Sequence, residues 1–207
     1  MKGLFIVFEG GDGAGKSTQV AQLADRLAAA GVEHIVTMQP GGSKAGQAIR
    51  QLLLDPSTEL DFRSEALLYA ADKAQHLAEV VRPALAEGKV VVCDRYVDSM
   101  LAYQGFGRGI DTSDLERLAD WATSGMHPDL TVLLDVDPSQ AVEAKTTKDR
   151  LELAGSDFHA RVRAGFLELA GRDESRYLVI NARESIQQIS DRVAQRVAGL
   201  LGLEETI

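Results

Sequence analysis

Eight residues near the N-terminus, Gly10-Gly11-Asp12-Gly13-Ala14-Gly15-Lys16-Ser17, match the pattern G-x-x-x-x-G-K-[ST]. Average composition would produce this pattern in about one chain in a hundred of this length. Its context strengthens it, because an apolar run, Leu4–Phe8, precedes it and a helical pattern follows. The residue types dictate the chemistry. Glycines let successive backbone N–H groups turn inward around phosphate oxygens, and a helix starting near Ser17 adds partial positive charge. Lys16 then reaches the β and γ phosphates of a nucleotide and the Ser17 hydroxyl binds magnesium, with Thr18 just beyond.

Two carboxylates belong to the same construction. Glu9 closes the first apolar run and Asp94 closes another, Val90–Cys93. The carboxyl ends of parallel strands line the ligand crevice of an open sheet, so both face the ligand, and Asp94 resembles the acidic residue that helps hold magnesium, although a strand-end aspartate also fits a plain turn. Asp94-Arg95-Tyr96 places a cation beside the metal carboxylate. Tyr69 and Lys73 are four residues apart on a helical pattern and share a face, where an aromatic ring and a cation can stack a base and hold a phosphate. Taken alone, Tyr69 also fits plain core and Lys73 a solvated charge. An acceptor that is itself a phosphate is already ionised, so it needs cations and alignment more than a strong base.

The elements that must position these residues alternate. Leu4–Phe8, Ile35–Thr37, Val90–Cys93, Leu130–Val136 and Tyr177–Ile180 read as strands, most of them continuous apolar runs of the kind covered on both faces. Between them lie helical patterns: Ser17–Ala30 stopped by Gly31, and Glu65–Glu87 stopped by Gly88 and kinked or split at Pro83. A further helix runs to about Thr123 behind a capping box of Ser113 and Glu116, another from Ser156 to about Gly171, and a last one from Ser185. The alternation predicts an α/β fold, a parallel sheet with helices on both faces. Trp121 and Leu118 share a face of the capped helix and read as core or as a contact between subunits.

Length and charge narrow the class. The 207 residues suit a single domain, 1–207, without repeat or linker. A formal net charge of −9 argues against a general nucleic-acid binder. Cys93 is the single cysteine, so no intramolecular disulfide forms, and its apolar run makes it a packed thiol. No segment reaches the ~18 apolar residues that span a bilayer, and the N-terminus lacks the features of a signal peptide. The expected location is cytoplasmic, with no membrane partner. His34, His76, His127 and His159 lack metal-ligand spacing, so no zinc site is expected. No guanine-reading N-K-x-D follows a later strand, which turns the reading from a GTPase toward a small-molecule kinase.

Over nearly its whole length the chain resembles bacterial thymidylate kinases. The resemblance rests on ordered islands: Phe8 to Thr18, Pro40-Gly41-Gly42, Leu68 to His76, Asp94-Arg95-Tyr96 with Ser99 and Ala102-Tyr103-Gln104-Gly105, and Asp149-Arg150-Leu151-Glu152. It implies a three-layer P-loop fold with a five-stranded parallel sheet and a short mobile lid over about 142–153. It also implies transfer of the γ-phosphoryl group from magnesium–ATP to dTMP by a homodimer. By carry-over, Arg95 holds the dTMP phosphate with Lys73 as second cation, Tyr69 stacks on thymine, Tyr103 crowds the 2′ position, and Ser99 and Gln104 lie by the nucleotide. Glu9 takes an acidic role at the metal or acceptor, and Lys145, Lys148 and Arg150 are the lid cations.

Departures from the family pattern are equally specific. Where the family usually has T-R-E-P-G-G-T, this chain reads Thr37-Met38-Gln39-Pro40-Gly41-Gly42-Ser43, losing both charges. Lys73 stands for the usual arginine, Met100 for a residue that is often polar, and Phe166 for a tyrosine. These departures leave two other readings open: a kinase of a different nucleoside or nucleotide, and a nucleotide-binding protein with little catalysis.

Overall fold

A computed structural model of the chain describes residues 3–137, 151, 154–203 and 207. Five strands form one sheet: β1 (Leu4–Glu9), β2 (His34–Met38), β3 (Val90–Asp94), β4 (Leu130–Asp135) and β5 (Tyr177–Asn181). Their order is β2-β3-β1-β4-β5 and every pairing is parallel. The five strands expected from the apolar runs are the five observed; four are extended by a residue at one or both ends, and β4 stops one residue earlier, at Asp135.

Side chains alternate across a strand, so each strand feeds two cores. Leu4, Ile6 and Phe8 of β1 join Val90, Val92, Leu130 and Val132 under α1 (Lys16–Ala29) and α8 (Ile186–Leu201). Phe5 and Val7 point the other way and pack with Val91, Cys93, Leu77 and Val81. A third core joins α2 (Lys44–Leu54), α3 (Phe62–His76), α5 (Val97–Met100), α6 (Thr112–Thr123) and α7 (Ser156–Arg172). All six residues of β1 are buried, as the central strand of a doubly covered sheet requires.

The structure corrects several local expectations. The long helix near Pro83 starts earlier, at Phe62 with Asp61 as its cap, and does not simply kink. Leu77–Val81 forms a π-helical turn, and Pro83 lies in the first turn of α4 (Arg82–Ala86). Proline lacks an N–H and crowds the carbonyl four residues back, so the hydrogen-bond pattern widens one turn upstream. The cap of α6 is Asp111, whose carboxylate accepts from Ser113 N and Asp114 N, rather than Ser113 with Glu116. Trp121 is no core residue, being 83% exposed. Helix α2, with Ser43 as its cap, lies where no helix was read.

Candidate active site

At the carboxyl end of β1 the chain turns sharply. Gly10 adopts φ 134°, and a Cβ there would stand 2.4 Å from the Leu134 carbonyl oxygen of β4, so only glycine fits against that neighbouring strand. No side chain caps α1. The Lys16 ammonium donates to the carbonyls of Gly10 (3.0 Å) and Gly11 (2.9 Å), curling the loop around itself. Burial, then the nearby Arg95 charge, lowers its pKa to about 8 against the pull of Asp94, Asp12 and Glu9. Gly13, Ala14 and Gly15 complete the loop, and Thr18 is exposed on the first turn of α1.

Asp94 ends β3 beside this loop. Ser17 Oγ donates to Asp94 Oδ2 at 3.3 Å, while Asp94 Oδ1 is buried without a hydrogen-bond partner among the described residues. A buried orphan carboxylate oxygen next to a hydroxyl fits a hard cation that takes the rest of its ligands from phosphate and water. The pair therefore suits magnesium.

Arg95, the next residue, has φ 69°, a conformation that costs energy for any residue with a Cβ. What holds it there is visible. Glu9 is fully buried and accepts from Tyr96 N (2.7 Å), Ser99 N (3.2 Å) and Ser99 Oγ (2.6 Å). The sequence places Glu9 at the metal or the acceptor, whereas here both of its oxygens anchor the Arg95 loop. Burial, then the charge of Asp98, raises its pKa to about 7.

The aimed guanidinium is the hub of the site. Its Nη1 donates to Gly10 O (3.1 Å) and Ser99 Oγ (3.0 Å), and its Nη2 to Asp12 Oδ1 (2.7 Å) and Tyr103 OH (3.4 Å). Tyr103 OH donates in turn to Asp12 Oδ2 at 2.8 Å. Burial alone would raise the Asp12 pKa, but Arg95, Lys16 and the Tyr103 hydroxyl hold it at about 2. Asp12 thus ties the phosphate loop to Arg95, a link that its motif position x gave no sign of.

Facing this hub, α3 presents Glu65, Tyr69 and Lys73 at four-residue spacing. Lys73 is 2% exposed and its ammonium lies 5.5 Å from the Tyr69 ring centroid. Its pKa is lowered by burial, against the pull of Asp72 and Glu9. Tyr69 is itself largely buried and belongs to the third core, so its ring is braced from behind. A second stripe of α3 holds the 39–43 loop: Asp72 Oδ1 accepts from Gly41 N at 2.9 Å, and His76 bridges Thr37 Oγ1 and Gln39 Nε2. Gly42 is required there, because a Cβ would meet His76 Nε2 at 2.5 Å.

Glu9, Asp12, Lys16, Ser17, Asp94, Arg95, Ser99 and Tyr103 are thus joined in one hydrogen-bonded cluster with the phosphate loop, and Tyr69 and Lys73 stand opposite. Gln104 sits at its edge, bonded to Glu65. Lys145, Lys148 and Arg150 lie outside the described residues. Sequence reasoning missed Glu65, Asp72, His76 and Arg108 as site-building groups. For Glu65, Asp72 and His76 the signal was the four-residue spacing of polar residues on a helical pattern; Arg108, beyond Leu101–Gly107, had none.

The chain as a whole is similar to known proteins of one family. Residues 8–193 match the family model described as thymidylate kinase. The chain is 58% identical over 202 residues to the thymidylate kinase of Cutibacterium acnes, covering 97% of this chain and 99% of that protein. It is 48% identical over 205 residues to that of Clavibacter michiganensis subsp. michiganensis, covering 97% of each. The crystal structure of thymidylate kinase from Ehrlichia chaffeensis superposes with a TM-score of 0.81 at 33% identity, covering 95% of this chain and all of that one.

Proposed function

The chain belongs to the thymidylate kinase family and is an ATP-dependent kinase, and from that premise we propose how its residues carry the γ-phosphoryl group of ATP to dTMP, giving dTDP and ADP. One observation supports the assignment of roles above the rest. Arg95 is held in a strained conformation one hydrogen bond from the phosphate loop, so a donor and an acceptor phosphate would meet between Lys16 and Arg95. Both reacting groups are anionic, so alignment and cation placement supply the catalysis and no strong base is needed. The loop amides and Lys16 bind the ATP phosphates and Arg95 takes the dTMP phosphate. Lys73 adds charge from α3, and Tyr69 offers its ring to the thymine. Tyr103, fixed by Asp12, fills the space beside the sugar and favours deoxyribose.

Ser17 and Asp94 would hold magnesium, which when bound would neutralise phosphate charge. Glu9 and Ser99 act by positioning Arg95. The lid residues Lys148 and Arg150, with Lys145, complete the cation set in this proposal, over a lid at about 142–153 of a single domain.

A homodimer and a cytoplasmic location belong to the same proposal. Helices α2, α3 and α6 pack side by side and leave Leu52, Phe62, Leu67 and Trp121 exposed, an apolar supply for a subunit contact. No helix among the described residues is long and apolar enough to cross a membrane. The decisive assay is ADP release from magnesium–ATP with dTMP, dUMP, dCMP, dGMP and thymidine as separate acceptors. Turnover greatest with dTMP supports the proposal. Greater turnover with another acceptor, or none from folded protein that binds ATP, overturns it. Sedimentation of the purified chain tests the dimer.

A further inference from the structure

Glu65 is a charged residue with no solvent exposure, and the phosphoryl-transfer chemistry does not use it. It sits in the first turn of α3, where the helix dipole favours a carboxylate. It is one turn before Tyr69 and two before Lys73 on the same stripe. Its Oε1 accepts from Gln104 Nε2 at 2.7 Å and from Arg108 Nε at 3.4 Å, and its Oε2 from Arg108 Nη2 at 3.4 Å. Arg108 is fixed in turn: its guanidinium carbon lies 4.9 Å from the Phe62 ring centroid and 5.0 Å from that of Phe158. Burying a carboxylate is costly unless it is paired, so Glu65, kept here beside the partly buried Arg108, calls for a role.

Gln104 gives the clue. It follows Tyr103 in the π-helical segment Leu101–Gly107 and is 1% exposed. A carboxylate only accepts hydrogen bonds, so it claims the NH2 end of the amide and leaves the carbonyl as the free end. Oε1 accepts no hydrogen bond among the described residues, and it is not among the side-chain atoms sealed from solvent. The neighbouring candidate for reading a base edge, Met100, is apolar and packed in the core at 1% exposure.

We propose that Glu65, braced by Arg108, is a positioning residue for base selection: it pins the Gln104 amide so that its carbonyl accepts the N3–H of a pyrimidine. Thymine and uracil carry that donor. Cytosine presents an acceptor at N3, so the pinned carbonyl repels it. With the amide free to turn, the NH2 would face cytosine equally well and selectivity would fall. The assignment rests on the dTMP reading of the site and adds the device that excludes cytosine.

The test is kcat/KM for dTMP, dUMP and dCMP at saturating magnesium–ATP in the wild type, Gln104→Met and the double variant Glu65→Leu/Arg108→Met. The double variant removes the buried carboxylate and its partly buried partner together, so neither charge is left unpaired. The expected result is a dTMP-to-dCMP ratio reduced by roughly tenfold or more in both variants, as loss of one oriented hydrogen bond implies. The dTMP-to-dUMP ratio should not move, since both bases carry N3–H. A purely structural defect would lower all three acceptors in parallel, and that outcome overturns the proposal. So does a wild-type ratio in either folded variant. Failure of the dTMP reading looks different: the wild type itself then turns over neither dTMP nor dUMP. Calorimetric binding of dTMP and dCMP to the same three proteins then decides the base-selection device separately, and absence of dTMP binding to the wild type overturns it too.

Discussion

The two halves of the site are built by opposite means. The donor half is one contiguous octapeptide, 10–17, whose ligands are mainly backbone amides with one lysine tip. The acceptor half is assembled from β1, β3, α3 and the 95–108 segment, and its working parts are buried side chains: Glu9, Glu65, Asp72, Lys73 and Gln104 are all no more than 2% exposed. A loop of backbone amides is specified by local conformation, so it survives changes elsewhere. A wall of buried charges is specified by mutual pairing, and each member depends on the others. The chain keeps the donor motif complete and departs from the family pattern at 38, 39, 73 and 100; Gln39, Lys73 and Met100 are buried, where paired or packed side chains can compensate.

The largest break should come from the donor side. Lys16→Ala removes the cation that reaches the transferring phosphates, and turnover with every acceptor should fall by roughly 10²–10³ or more while circular dichroism stays native. Retained turnover would sink the mechanism. The wild-type pH profile sharpens the same point. With its pKa lowered to about 8, Lys16 loses its proton as pH rises past that value, so kcat/KM for ATP should decline above about pH 8. A flat profile to pH 10 would show that Lys16 of the free enzyme keeps its proton across that range.

Next in size is the acceptor side. Arg95 makes four hydrogen bonds from two nitrogens, and a lysine cannot reproduce that fork. Arg95→Lys should raise KM for dTMP and lower kcat/KM by roughly 10- to 100-fold, with KM for ATP changed little. An equal effect on both substrates would mean that the Asp12–Arg95 link makes the two halves one unit.

The contrast also explains what the sequence disclosed. The strands and the phosphate loop were legible because their signals are local: runs such as Val90–Cys93, and a motif of fixed spacing. The residues of the acceptor wall were legible mostly as types at family positions, and their partners were not. Nothing near Glu9 says that it accepts from Tyr96 and Ser99, because those contacts span about ninety positions of sequence. Gln39 illustrates the limit well. From sequence it is a lost charge; in the fold it is 2% exposed, and its amide NH2 meets His76 Nδ1 at 2.7 Å. An amide that donates there fits a neutral imidazole, whereas Met38 simply faces outward at 47% exposure.

His76 therefore offers a smaller test, one of scaffold rather than catalysis. Burial, then the charge of Lys73, lowers its pKa to about 4. The unfolded chain takes up the proton first, near pH 6.5, so stability from this group is complete above that and is lost as pH falls toward 4. The shift corresponds to on the order of 3 kcal/mol. Glu9 acts in the reverse sense: its raised pKa means stability is lost as pH rises from about 4.5 toward 7. Denaturant titrations of wild type and His76→Gln at several pH values separate the two. The difference between them should shrink on acidification from 6.5 to 4, and a constant difference would show that the histidine does not titrate differently in the fold.

The smallest effect lies farthest from the chemistry. Asp111 caps α6 through bonds to Ser113 N and Asp114 N, whereas the S-x-x-E pattern points to Ser113 as the cap. Asp111→Ala should lower Tm by a few degrees without altering kcat or KM, because two amides of the first turn lose their acceptor. Ser113→Ala should cost less, since the Ser113 hydroxyl only donates back to Asp111. The reverse order would restore the capping box read from sequence and move the helix start by two residues. It would leave the acceptor wall unchanged, because α6 meets that wall through buried apolar contacts such as Leu115 and Ala119 rather than through its cap.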